Sequence, residues 1–369
     1  MERLGRQRLS SACLAVGVVA LVVYLLSPRD SPVQLVAWFV PMVTAIWVTG
    51  ARCRRATGEG KLPLRILFGA VLAYVLLLAA WYLGPVVFGL ELPFPSVLDL
   101  GFFIDYAVFA FLLVLVLRLG PIGREVEARV AVIDALILTT ALCAILWVGV
   151  VVPSLHAEAS TPATVVALLY PAFNLVLCGL GVRLVLDRLS QSGLAGFLLL
   201  GWLAAQVAGD VVYGIQSAAE TFEYGSPVFV TWMIAYSCLA AMVAHPSASS
   251  LLGQQDAVAE STGAPSGRSG VRRARLVLLY LAAVVPLVMA AFSNTRSNVL
   301  LALAAGGFAL VIWRLALLAG DLREQQRLAD ELELKGHELL QANDDLRDAG
   351  EARSVFLATM SHEIRTPLN

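Results

Sequence analysis

The sequence has few charged residues: Asp, Glu, Lys and Arg make up 14% of its 369 residues, against about 25% in soluble domains. Hydrophobic residues reach 59% and the mean hydropathy is +0.79. This balance excludes an ordinary soluble globular protein and indicates a chain that lies mostly in a membrane. The net charge is only −1, so there is no overall basic field and no nucleic-acid partner is predicted.

The sequence also lacks closely spaced cysteines. Its five cysteines have neither metal-binding nor redox spacing, and those inside apolar runs are interpreted as small buried hydrophobic residues. No GxGxxG or P-loop pattern occurs. No metal site and no cofactor-binding residue is therefore predicted within the chain.

Long apolar runs dominate the sequence. A helix needs about 20 apolar residues to cross a bilayer, and ten candidate spans lie at approximately 9–27, 33–50, 64–84, 97–118, 130–152, 163–186, 194–216, 227–244, 274–292 and 298–318. The first follows basic residues, as in a signal peptide, but no small-x-small cleavage site follows it. We predict an all-α fold, a polytopic membrane helical bundle with about ten transmembrane helices.

The charges in the loops indicate the orientation of these spans. With the N-terminus inside, the inner segments before the last span carry 17 Lys and Arg residues, and the outer loops carry only Arg29 and Arg296. Basic residues concentrate on the cytoplasmic side of membrane proteins. The sequence thus predicts a multi-pass protein of the bacterial inner (plasma) membrane with both termini cytoplasmic.

Composition divides the chain into five segments. The segment 246–270 is rich in Ser, Gly, Ala and Gln and is typical of a flexible linker. The predicted order is an eight-span membrane region (1–245), a cytoplasmic linker (246–270), a final transmembrane pair (271–318), a signalling coiled-coil helix (319–352) and the start of a dimerisation and phosphoacceptor domain (353–369).

The segment 319–355 carries five basic and ten acidic residues, which disfavours binding to an anionic membrane surface. Leu332, Leu339 and Leu346 recur every seven residues, as in a coiled-coil seam. The other seam is weak, with Ala329, Gly336, Asn343 and Gly350. We therefore predict a marginal, switchable dimer helix that makes the protein a homodimer through 319–369; a solvated single helix is the alternative.

The segment after this helix reads FLATMSHEIRTPLN, residues 356–369. Met360 and Ile364 lie four residues apart and share a helix face, whereas His362 points away from that face. An imidazole is partly uncharged near neutral pH and can act as a nucleophile. The adjacent Glu363 could take a proton from one ring nitrogen and leave the other free to attack.

This segment resembles the H-box of bacterial sensor histidine kinases, especially those of the hybrid type. The resemblance implies that His362 accepts the γ-phosphate of ATP and passes it to an Asp of a response-regulator receiver domain. It further implies that Glu363 is the acid–base residue and that Thr366 assists phosphotransfer or dephosphorylation. ATP, with Mg²⁺, would be bound by a domain that the chain does not contain, so we expect an N-terminal sensor fragment that is inactive alone.

The membrane region resembles an actinobacterial multi-span module found ahead of diguanylate cyclase and histidine kinase outputs. The segments that carry the resemblance are FPSVLDLGFFIDYAVFAFLLVLVLR, VIDALILTT, GDVVYGIQS and AYSCLAAMVAHPS, within approximately 95–250. The resemblance does not indicate a ligand.

Acidic residues inside membrane spans are costly and suggest functional sites. Asp99 follows Ser96 by three residues, which predicts a capping box, and Asp134 is close enough in sequence to pair with Arg129. The candidates for ligand sensing are Asp105, Asp210, Tyr213 and Gln206, with the last two on the helix face of Asp210. Satisfaction of these acids by interhelical hydrogen bonds is the alternative.

The sequence thus predicts the membrane sensor part of a two-component histidine kinase. Two alternatives remain open: a multi-span transporter, and a non-catalytic membrane receptor with a dimerising cytoplasmic tail. In each case, we expect membrane lipid to surround the spans.

Overall fold

A computed structural model describes residues 2–29, 31–90, 92–119, 125–152, 161–218, 221–252, 268–292 and 298–365. These residues contain helices and no strand, which confirms the predicted all-α class. The helices are α1 (Glu2–Leu26), α2 (Pro32–Arg55), α3 (Lys61–Phe88), α4 (Val97–Arg118), α5 (Glu125–Leu146), α6 (Thr161–Asp187), α7 (Leu189–Ala218), α8 (Phe229–Ala244), α9 (Ala248–Leu251), α10 (Arg268–Phe292) and α11 (Asn298–Arg365).

Eight of these helices are long and apolar enough to cross a membrane, namely α1 to α7 and α11. This indicates a multi-pass membrane protein. Two shorter apolar stretches, Phe229–Ala244 and Leu279–Ala291, occupy the remaining two predicted spans. Each of the ten predicted spans therefore coincides with a helix, while the number that cross the bilayer and the location of the termini stay predictions.

The chain divides into two compact units, Met1–Ile312 and Trp313–Asn369. In the first unit α8 is the central helix, because it packs against α1, α2 and α7 and most of its side chains are buried. The helices α2, α3, α4 and α6 pack in sequence around it, and α5 joins α6 to α10.

Hydrogen bonds tie the helix ends together at both ends of this bundle. At one end, the buried Arg188 donates to the carbonyl oxygens of Ser250 at 2.6 Å, Leu251 at 2.5 Å and Val116 at 2.6 Å. At the other end, the Tyr24 hydroxyl donates to the Ser226 carbonyl at 3.1 Å. Each of the two groups joins segments that were predicted on the same side of the membrane, and the side itself stays a prediction.

Part of the segment predicted as a flexible linker is folded. Residues 248–251 form α9, and Ala248, Leu251 and Leu252 are buried. These apolar side chains pack into the hydrophobic core, where Ser247 accepts a hydrogen bond from the Ala195 amide at 3.4 Å. Residues 253–267 lie outside the described part of the chain.

The described part of the second unit is the remainder of α11, which is one helix of 68 residues. No proline lies within it, since Pro367 is the first proline after Pro286. Leu332, Leu339 and Leu346 are 70%, 71% and 73% exposed. The heptad leucines thus form an uncovered stripe on this helix.

Candidate functional site

Five helices of the first unit bring polar side chains together around Asp210 of α7. This carboxylate is 2% exposed. Its partners come from α4, α6, α7 and α8, and Tyr74 of α3 joins through two of those partners. We call Asp210 and these five partners the Asp210 cluster: Tyr74, Tyr106, Asn174, Gln206 and Trp232.

The Asp210 carboxylate accepts hydrogen bonds at both oxygens. Oδ1 accepts from Trp232 Nε1 at 3.0 Å and from Gln206 Nε2 at 3.1 Å. Oδ2 accepts from Asn174 Nδ2 at 2.8 Å and from the Tyr106 hydroxyl. Donors of this number compensate for the loss of water around a buried carboxylate, so Asp210 is held in a preformed polar environment.

Tyr74 extends the cluster onto α3. Its hydroxyl accepts from Gln206 Nε2 at 2.7 Å and lies 3.3 Å from the Tyr106 hydroxyl. Gln206 therefore bridges α3 to the carboxylate of its own helix, from the position i−4 that the sequence predicted to share a face with Asp210.

A close approach of α7 and α8 positions Trp232. A Cβ atom at Gly209 would lie 2.4 Å from Thr231 Oγ1 and 2.7 Å from Trp232 Nε1. Only glycine leaves room for the indole N–H to reach Asp210 on the next residue. The sequence GD at 209–210 thus fixes one of the cluster's contacts.

Asp99 forms a second buried carboxylate site at the start of α4. Its Oδ2 accepts from the Ser96 amide at 2.5 Å and the Ser96 hydroxyl at 3.0 Å, and the predicted capping box is present. Its Oδ1 accepts from the Tyr170 hydroxyl at 2.5 Å, an interhelical contact that the sequence did not predict. Tyr170 and Asn174 lie one turn apart on α6, so this helix contacts both carboxylates.

Asp105 differs from the other two acids because its Oδ2 is buried without a hydrogen-bond partner among the described residues. Its side chain is 4% exposed, and it interacts electrostatically with Tyr74 and Tyr236. Asn174 Oδ1 is also buried and lacks a partner in that part of the chain. Asp105 Oδ2, beside the cluster, is therefore able to take a hydrogen bond or a proton, and the Asn174 oxygen, within it, is able to take a hydrogen bond.

The chain segments that carry these acids and their partners contain no basic residue. Segments 66–117, 162–182 and 189–244 contain no Lys, Arg or His. Within the described residues, no group of three or more His, Cys, Asp or Glu side chains could hold a metal ion. A fourth aspartate, Asp134 of α5, is fully buried, and its predicted pairing with Arg129 stays a prediction.

An aromatic layer lies next to the cluster. Tyr213 was predicted to join Asp210, but its ring packs against Trp81 at 5.4 Å, Phe222 at 5.1 Å and Trp232 at 6.1 Å between centroids. Trp232 belongs to both groups, with its ring in the aromatic layer and its N–H on Asp210. In the loop before α8, burial and then the nearby Tyr82 raise the pKa of Tyr224 to about 12.

The predicted phosphoacceptor segment lies at the other end of the chain. His362 and Glu363 lie in α11, which extends to Arg365. Thr366 lies outside the described residues. The roles predicted for these three residues stay predictions.

Comparisons with known proteins find no matching family model, no matching curated protein and no matching solved structure.

Sequence reasoning missed Tyr74, Tyr106, Tyr170, Asn174 and Trp232. Four of these residues have a hydroxyl or amide inside an otherwise apolar run, and such groups need partners in a membrane. Tyr170 and Asn174 also have the i, i+4 spacing of one helix face. That spacing could have identified α6 as part of the site.

Proposed function

We propose that the chain is the membrane sensor part of a two-component histidine kinase, with His362 as the phosphoacceptor. The observation that carries this proposal is the motif SHEIRTP at 361–367, which begins near the end of the long helix α11. Because α11 starts in an apolar segment and reaches Arg365 as one helix, it offers a mechanical connection between membrane and motif.

The proposed chemistry follows from the two neighbouring side chains. One ring nitrogen of His362 attacks the γ-phosphorus of ATP, the bond to the β–γ bridging oxygen breaks, and ADP leaves. The Glu363 carboxylate takes the proton from the other ring nitrogen, so that a phosphoramidate forms with an uncharged imidazole ring and an anionic phosphoryl group. The phosphoryl group then passes to the carboxylate of an Asp on a receiver domain, and His362 regains its proton. Thr366 is proposed to assist this second transfer.

The exposed leucine stripe of α11 supports a homodimer. Leu332, Leu339 and Leu346 have little to pack against in one chain, and leucine at every seventh residue packs well against the same seam of a second helix. Gly336 and Asn343 lie between these leucines, at the other core position of the heptad, and weaken the packing there. A dimer of this kind is stable enough to form and weak enough to change register when the membrane bundle changes.

The Asp210 cluster is the proposed input site. It lies among five helices, so a ligand or proton that changes its hydrogen bonds changes how these helices pack. Asp105 and Asn174 supply acceptors without a partner among the described residues, and these are the atoms on which a donor would act.

The same observation favours ion transport as a second candidate function. A buried carboxylate without a partner is a common feature of proton pathways in membrane proteins. Uptake of protons into vesicles that contain the wild-type chain, but not those that contain Asp105→Asn, would support transport.

Phosphorylation in trans tests the leading proposal. The full chain in membranes is mixed with the catalytic domain of a histidine kinase whose H-box matches 356–369, together with labelled ATP and Mg²⁺. The proposal expects acid-labile, base-stable labelling of the wild type and none of His362→Gln. The matched control is His337→Gln on the same helix, which should label normally. Equal labelling of wild type and His362→Gln would refute it.

A further inference from the structure

A small cavity lies at the end of the bundle where basic residues collect. It has a volume of about 100 Å³ and lies among α1, α2, α3 and α8. Arg6, Arg52 and Arg55 line it, and no acidic side chain is among its lining residues in the part of the chain that the structure describes. Three guanidinium groups around one cavity create a site for an anion.

The remaining lining of this cavity is apolar. Leu9, Val48 and Leu64 come from three different helices, and Trp47 forms the wall farther along α2. Trp47 is 57% exposed and lies eight residues, or about 12 Å, from Arg55 along the helix. Tryptophan favours the level of the lipid headgroups, where its ring meets apolar chains and its N–H meets water.

The two linings together match one class of ligand. A free phosphate ion would gain from the arginines but nothing from Leu9, Val48 and Leu64. A phospholipid has both a phosphate for the arginines and apolar carbons for these side chains. Basic pockets between membrane helices on the cytoplasmic side are recognised sites for anionic headgroups.

We infer that Arg6, Arg52 and Arg55 form a binding site for the phosphate of an anionic phospholipid, with its acyl chains beside Trp47. This site is independent of phosphotransfer at His362, because it lies on the first two helices and requires no ATP. A lipid held there joins α1 to α2, and both helices pack on the central helix α8.

The hydrogen bond of Arg6 connects the site to the rest of the fold. Arg6 Nη1 donates to Ser249 Oγ of α9 at 3.4 Å, next to the buried Ala248. The site thus lies against the folded segment 246–252, at the end of the bundle from which the chain continues toward α10.

Lipid titration of the purified full chain tests the inference. Native mass spectrometry would count phosphatidylglycerol molecules retained by the chain in neutral detergent, with phosphatidylcholine as the neutral lipid. The Arg52→Gln/Arg55→Gln variant should lose about 25-fold in affinity, or about fivefold per arginine. Arg54→Gln is the matched control, because Arg54 is exposed on the same helix and does not line the cavity.

Several results decide the matter. Equal losses in the double variant and in Arg54→Gln would mean diffuse charge attraction and would overturn the site. Displacement of the lipid by inorganic phosphate at a similar concentration would assign the cavity to a soluble anion instead. If the double variant does not fold, Arg6→Gln and the charge-conserving Arg55→Lys replace it: the first should weaken phosphatidylglycerol binding and the second should largely retain it. Unchanged binding in Arg6→Gln would also contradict the inference.

Discussion

Replacing Asp210 by leucine and, separately, by asparagine tests whether the Asp210 cluster holds the helices together. Leucine removes the acceptor for three donors from other helices: Tyr106, Asn174 and Trp232. Interhelical hydrogen bonds in a membrane contribute about 0.6 kcal/mol on average and at most about 1.7 kcal/mol each. We therefore expect Asp210→Leu to lower the free energy of unfolding by roughly 2–5 kcal/mol.

Asparagine should be tolerated far better. Its oxygen can face the Trp232 N–H, which only donates, while its NH₂ group faces Tyr106 and Asn174. The Tyr106 hydroxyl can accept instead of donate, whereas the Asn174 amide can turn its oxygen toward the new donor only by giving up its hydrogen bond to the Tyr170 carbonyl at 3.0 Å. We expect the free energy of unfolding to fall by about 1 kcal/mol, which is the net contribution of one hydrogen bond.

The assay is SDS-induced unfolding of the purified chain in mixed micelles, followed by tryptophan fluorescence and circular dichroism. Thr44→Val is the control, because the Thr44 hydroxyl donates only to the Val40 carbonyl of its own helix, at 2.8 Å. Equal losses in the leucine and asparagine variants, or a leucine variant as stable as wild type, would show that the Asp210 cluster does not hold the helices together. A folded asparagine variant also allows the input role of the cluster to be measured without loss of the bundle.

Three further predictions concern packing, association and pH. Gly209→Ala should destabilise the bundle by about 1–3 kcal/mol through overpacking against Thr231 and Trp232. Gly69→Ala should not destabilise it, because the added Cβ atom meets no neighbour within 4 Å. Similar unfolding curves for both variants would contradict the close approach of α7 and α8. Leu339→Glu should weaken self-association of the full chain more than tenfold, because burying one leucine side chain contributes roughly 1.5–3 kcal/mol. Leu334→Glu lies off the heptad stripe and should not weaken self-association. Light scattering in detergent measures the association of both variants. The pKa of Tyr224 is raised to about 12 from about 10 in an unfolded chain, so its contribution to stability is present below a pH of about 10 and is lost as the pH rises toward 12. Tyr224→Phe should therefore flatten the dependence of the unfolding free energy on pH in this range, and an unchanged dependence would argue against burial of Tyr224.

The sequence predicted the helices well because the signal is local. Apolar runs and breaks between them determine where α1 to α8 begin and end, and the Ser96–Asp99 capping box follows from a spacing of three residues. The folded segment 246–252 was not anticipated, since its composition is typical of a linker. Ala248, Leu251 and Leu252 are ordinary residues whose burial depends on the surrounding bundle.

The candidate site was predicted only within single helices. Gln206 and Asp210 share a face at i, i+4, and this could be read directly from the sequence. Asn174 and Tyr106 approach Asp210 from 36 and 104 residues away in sequence, which requires the relative register of three helices. Tyr213 has the right spacing but joins the aromatic layer, because Trp81 and Phe222 pack against its ring.

The most direct measurement of the central proposal is the location of the phosphate within the chain. After phosphorylation in trans, the peptide that contains residues 354–365 is kept at alkaline pH and fragmented by electron transfer in a mass spectrometer. We expect phosphate on the imidazole of His362, lost on acid treatment and absent without ATP. Phosphate on Ser361, or no phosphate in this peptide, would contradict it.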